Sequence, residues 1–159
     1  MQSRPIAELR VPVTDILGTD CYLLAPGEYS GTDRADFLPA GILVYIGNSL
    51  LLAFAGGLIA ALAPGAKALG KRGGEWVSET LLKLLGAEPE AYKKATDAEV
   101  ERTIIELKDA AKAKDVGPEL INEVEHSTAE ALVTQFGLTK DKAAAVAASI
   151  SQAVKLAIA

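Results

Sequence analysis

Residues 41–65 read GILVYIGNSLLLAFAGGLIAALAPG, the centre of a thirty-residue stretch from Phe37 to Ala66 without a charged side chain. The fold turns on this stretch. As one helix it is long enough to cross a bilayer. Folded about Gly47-Asn48 it becomes a hairpin of two apolar strands, Ile42–Ile46 and Leu50–Phe54, followed by a buried helix that begins near Gly57. Gly and Asn both tolerate the positive φ of a twisted hairpin turn. Val44, Tyr45 and Ile46 favour the pleated state. A helix would absorb two interruptions here, each costing about 1 kcal/mol relative to Ala. The membrane alternative, through residues 41–63, has its own support. Gly57, Ala61 and Gly65 form a ridge of small residues for helix packing. Lys67, Lys71 and Arg72 follow as a cytoplasmic flank would. Against it, Asn48 in hydrocarbon needs a partner, and Pro64 closes the run. Local propensity predicts the hairpin.

Upstream, AELRVPV and DCYLLAP carry strand-forming residues between Pro and Gly, and PGEYSGTD has the composition of a turn-rich loop. Pro5 and Pro12 flank the first run, which suits an edge strand or an extended arm. Downstream the residue pattern is helical. GEWVSETLLKLLG spans roughly three turns and stops at Gly86. Thr96-Asp-Ala-Glu99 has the form of a capping box. The helix it opens places Val100, Ile104 and Leu107 on one face, and Gly117 ends it. Pro118 suits the first turn of the next helix, whose face holds Ile121, Val124, Thr128, Ala131, Leu132 and Gln135. Gly137 ends that helix and Thr139 caps the last one. The last helix has a narrow stripe of Val146, Ile150, Ala153 and Ala157. Short connections between three amphipathic helices predict an antiparallel bundle.

The fold class expected is therefore α+β, mostly α, with a small N-terminal β-hairpin or extended region followed by a helical bundle. Residues 1–56 form a β-rich or extended docking region, 57–95 an apolar helix and a connecting helix, and 96–159 a three-helix antiparallel bundle.

At 159 residues the chain can bury a real core. Its net charge is −5, and the whole acidic excess lies after residue 72. An acidic surface argues against wrapping nucleic acid, which needs basic side chains for phosphate. The N-terminal run MQSRPIAELRVPVTD has no apolar core of a signal peptide, which predicts an intracellular protein or a virion component. The inner membrane is the alternative location.

Residue types that carry chemistry are sparse. Cys21 is the sole cysteine, so it forms no internal disulfide; it reads as a small packed side chain rather than a reactive thiol. His126 is the sole histidine. Glu123 and His126 have the spacing that puts two metal ligands on one helical face, with Glu119 and Glu130 nearby. The face opposite the apolar stripe is solvated, and an incidental histidine there is the favoured reading. KALGKRGG is basic and glycine-rich but lacks phosphate-loop spacing. Glu79 and Lys83 read as exposed i,i+4 support, and Trp76 as an anchor between the two halves. No catalytic, cofactor-binding or metal residue is assigned.

Two resemblances cover parts of the chain. LLAPGEYSG followed by ILVYIGNSLLLAFAGG resembles the opening strands of small bacterial pleckstrin-homology-like proteins, without the later strands. EALVTQFGLTKDKAAAVAASISQAV is similar to the helical dimerisation region of Mor-type phage activators, without their DNA-binding helix-turn-helix. Neither brings a functional residue with it.

The function expected is a non-catalytic structural, assembly or adaptor protein acting through self-association, such as a virion component or another large homo-oligomer with other protein subunits. A single-pass membrane protein with an acidic cytoplasmic helical domain, holin-like or part of a membrane complex, is the first alternative. A small carboxylate-metal helical protein is the second.

Overall fold

The computed structural model describes residues 6–18, 40–62, 76–86, 94–113 and 117–158. These residues form six helices and, among them, no strand. α1 is Ile6–Leu17 and α2 is Ala40–Leu62. α3 is the run 76–86, whose last turn, Leu82–Gly86, is wound as a π-helix. α4 is Asp97–Ala113, α5 is Pro118–Phe136 and α6 is Lys140–Ile158.

The expected α+β class is overturned, and α2 is the reason. Both runs assigned to the hairpin, Ile42–Ile46 and Leu50–Phe54, lie in one continuous helix. The helix expected to begin near Gly57 is the C-terminal part of the same element. Gly47-Asn48 is not a turn but the crossing point of α1 over α2. A Cβ at Gly47 would meet Arg10 Cγ at 2.9 Å and Thr14 Cγ2 at 3.1 Å, so glycine provides the notch in which α1 lies. Asn48 Oδ1 accepts a hydrogen bond from the buried Arg10, which also donates to Asp97. Ser49 donates its hydroxyl to the Tyr45 carbonyl at 2.9 Å, the back-bond of a helical serine. Tertiary contact thus outweighs the roughly 1 kcal/mol that Gly47 and Asn48 each cost a helix.

AELRVPV is likewise helical, as part of α1. Pro12 removes one backbone donor inside this helix, but it faces solvent, where water can serve the carbonyl left over. The apolar face of α1 buries Leu9, Val13 and Leu17 at the spacing of one helical stripe. DCYLLAP, PGEYSGTD and Cys21 lie outside the described residues.

α2 touches α1, α4, α5, α6 and the π-turn of α3. It is apolar all round, and a helix of that kind needs cover on every side. Ile46, Leu50, Leu51, Phe54 and Leu58 are buried, and the amphipathic helices turn their apolar faces toward them. The eight side chains expected to form the helical core, Val100, Ile104, Leu107, Ile121, Val124, Leu132, Val146 and Ile150, are all buried in the same cluster. The core is therefore one, with α2 at its axis.

The helix ends follow local chemistry. Thr96 Oγ1 accepts the Glu99 amide at 3.2 Å. The reciprocal half of the expected capping box is replaced: the Thr96 amide donates to the Lys94 carbonyl at 3.0 Å, and the Glu99 carboxylate pairs with Arg102 at 3.1 Å. Gly117 is the extended N-cap of α5, with Pro118 in the first turn, rather than the stop of α4. Gly137 ends α5 with a left-handed φ of 75°, and Leu138 then donates to the Leu132 carbonyl at 3.1 Å. Thr139 Oγ1 accepts the Lys142 amide at 3.2 Å and opens α6.

Candidate functional site

Three places on the bundle hold features beyond core packing. The first is a polar cluster set into the apolar axis. Arg10 of α1 is buried, and its Nη1 donates to Asn48 Oδ1 at 2.9 Å and to Asp97 Oδ1 at 2.6 Å. Asn48 Nδ2 donates to the Ala95 carbonyl at 3.0 Å and to Asp97 Oδ1 at 2.8 Å. The buried Asn48 thus has both ends of its amide satisfied, which removes the cost of an orphaned polar group in the core. The Asn48 amide hydrogen bond, followed by the bond and charge of Arg10, holds the Asp97 carboxyl below the usual carboxylate range, against the opposing effect of partial burial. Asp97 is half exposed while Arg10 is not. The cluster ties α1, α2 and the start of α4 in one register.

The second place is a groove of about 730 Å³ between α3 and α4, with α2 as its floor. Leu52, Gly56, Ile59 and Ala60 form the floor, at the i, i+4, i+7, i+8 spacing of a single helical face. Trp76, Glu79, Thr80, Lys83 and Leu84 form one wall, and Thr103 and Glu106 the other. The indole of Trp76 lies against Gly56: a methyl there would overlap the ring nitrogen. Trp76 nevertheless stays 46 % exposed, an anchor on α2 with one face left to solvent. Gln135 of α5 donates to Ser78 Oγ, which tethers the outer side of α3 to the bundle.

The third place is a shallow depression of about 240 Å³ between α1 and α6, lined by Leu9, Pro12, Ala153 and Leu156 among others. Leu156, and Val11 next to Pro12 in the chain, are exposed.

His126 is 82 % exposed and stands 3.9 Å from Glu130 Oε2 on the outer face of α5. Glu119 and Glu123 are exposed on the same helix. Among the described residues no three metal-ligating side chains converge. Glu79 and Lys83 are exposed on α3, where they rim the groove rather than an empty face. Lys67, Lys71 and Arg72 lie outside the described residues.

Neither the polar cluster nor the groove is evident from the chain read in order. The cluster joins residues 38, 49 and 87 positions apart. Its one signal is Asn48 itself, a polar side chain inside an uncharged run that must find a partner. The groove depends on which strip of an all-apolar helix its neighbours leave open, and periodicity is silent there.

The arrangement is that of a helical bundle around a central apolar helix. No family model, curated protein or solved structure matches the chain. The resemblances to pleckstrin-homology-like and Mor-type proteins gain no support from these comparisons; of the two segments that carry the first, ILVYIGNSLLLAFAGG lies in α2 rather than in strands, and LLAPGEYSG lies outside the described residues.

Proposed function

We propose that this protein is a non-catalytic assembly or adaptor module that works through self-association, within a cell or a virion. The observation that supports this reading is the face shared by α1 and α6. Leu156 is 39 % exposed and lines the depression between α1 and α6, whose lining is mostly apolar. Ala148, Ser149 and Ala153 line it from α6, and side chains of that size let a partner helix approach closely. A two-fold pairing would place this face on its own copy, an isologous contact. Light scattering at tens of micromolar, on the order of ordinary association strengths, tests it. A homo-oligomer that Leu156→Glu dissociates is the expected outcome. A monomer across that range removes the reading.

A second reading is favoured by one observation. α2 has 23 residues and no charge, giving it a length of about 34 Å at 1.5 Å per residue. That suffices for a bilayer. Two thirds of its apolar window is enclosed by the other helices, as in a core helix. Flotation of the protein with phospholipid vesicles separates the two readings: the assembly module stays with the soluble fraction.

A further inference from the structure

Between Ile46 and Leu62, α2 is buried at every position except Leu52, Ile59 and Ala60, which are half-buried. All three line the groove beside Trp76. Over that span the five surrounding helices therefore leave one strip of α2 partly uncovered, and it is the strip that the groove opens to solvent. Its length from Leu52 to Ala60 is about 12 Å, or two helical turns. We propose that this groove docks a basic amphipathic helix from a partner protein.

The reasoning is geometric and electrostatic. An apolar floor two turns long suits a helix that presents side chains at i, i+4 and i+7. A pairing strand would need a sheet edge, and the described residues contain no strand. Trp76, held against Gly56 and half exposed, is the kind of aromatic that dominates interface energetics. Among the described lining residues the walls bring Glu79 on one side and Glu106 on the other, with Lys83 as the one cation. Lys or Arg at the edges of the docked helix would meet the two carboxylates, while an acidic helix would meet them as like charges. The α4, α5 and α6 helices of a second copy are poor occupants of this groove because the acidic excess lies in that half of the chain. The proposal goes beyond self-association and concerns a different face from that of α1 and α6.

Trp76 is the chain's only tryptophan, so its emission reports the groove directly. The test titrates the full chain with three tryptophan-free helical peptides. One has Leu at i, i+4 and i+7 with Lys on the flanks. The second keeps the Leu positions and replaces Lys by Glu. The third has the composition of the first with the Leu positions scattered around the helix. The expected result is a saturable blue shift with the basic peptide, with the acidic and scattered peptides binding at least about tenfold more weakly. Glu106→Lys and, separately, Glu79→Lys should each weaken the basic peptide several-fold at unchanged helicity and unfolding midpoint. Leu156→Glu should leave the shift intact, which separates this site from self-association. Equal binding of the Lys and Glu peptides, or of the scattered one, overturns the proposal. So does a Trp76 shift on concentrating the protein alone, which would assign the groove to a second copy. A shift with a short-chain alkylammonium amphiphile but with no peptide would assign it to a small molecule and overturn the helical partner.

Discussion

α2 and the half of the chain from α4 to α6 solve the same packing problem with opposite sequence patterns. In α4, α5 and α6 one face is apolar and the other polar, so the spacing of Val100, Ile104 and Leu107, or of Val146 and Ile150, already states which side is buried. In α2 almost every residue is apolar, and spacing names no side. Orientation is specified instead by the exceptions. Gly47 makes room for Arg10, Asn48 binds Arg10 and Asp97, and Gly56 receives Trp76. The difference teaches that in a helix enclosed on nearly all sides, the few small and polar residues encode the register that amphipathicity encodes elsewhere.

The comparison can be broken at its base. If the two regions share one core, Phe54→Ala in α2 and Leu107→Ala in α4 should act alike. Both side chains are fully enclosed. The first should cost about 3–5 kcal/mol and the second about 2–5 kcal/mol. In each variant far-UV circular dichroism and Trp76 emission should follow a single transition in urea. Separate transitions for the two probes would split the molecule into two units.

The role given to Asn48 is next in size. Asn48→Ala leaves Arg10 with one partner fewer in a closed site, and should cost about 1–3 kcal/mol. An unchanged urea midpoint would reduce the cluster to a bystander and leave Gly47 and Gly56 as the register devices.

Acid sharpens the same point with a smaller effect. The Asp97 carboxyl is held below its ordinary value in the folded state by Asn48 and Arg10. Its contribution to stability is therefore complete above the unfolded carboxylate value and is lost as pH falls through the lowered folded value. Half-exposure of the side chain keeps that contribution modest. Stability measured against pH should fall less steeply in Asp97→Asn than in the parent below pH about 4. Superimposable slopes would show that Asp97 gains nothing from the cluster.

The smallest effect has the opposite sign. Ser151 of α6 is buried, and its Oγ has no hydrogen-bond partner. Ser151→Ala removes that hydroxyl from a helix interior, and should leave stability unchanged or raise it by up to about 1 kcal/mol. Destabilisation would mean that α6 depends on a polar contact that its amphipathic pattern does not reveal.

Legibility follows the same division. Thr96, Gly137 and Thr139 act within a turn of their own position, so their capping roles follow from adjacent residues. The hairpin at Gly47-Asn48 fails for a related reason. Local propensity describes a segment with nothing against it, and here α1 lies against it. Trp76 is legible as an anchor, since a large aromatic beside a bundle seeks apolar contact. Its seat on Gly56, and the groove left beside it, belong to the way five helices surround a sixth.

The chain by itself determined that α4, α5 and α6 are helices, where α5 ends and α6 begins, and that eight named side chains among those they bury are core residues. These follow from periodicity and from the hydrogen-bonding needs of single residues, both of which act over a few positions. Only the tertiary structure decided that residues 40–62 form one helix, that Arg10 and Asp97 satisfy Asn48, and that a strip from Leu52 to Ala60 remains uncovered. The physical reason is that an all-apolar segment gains burial in either a strand or a helix. Contacts from residues far along the chain select between them.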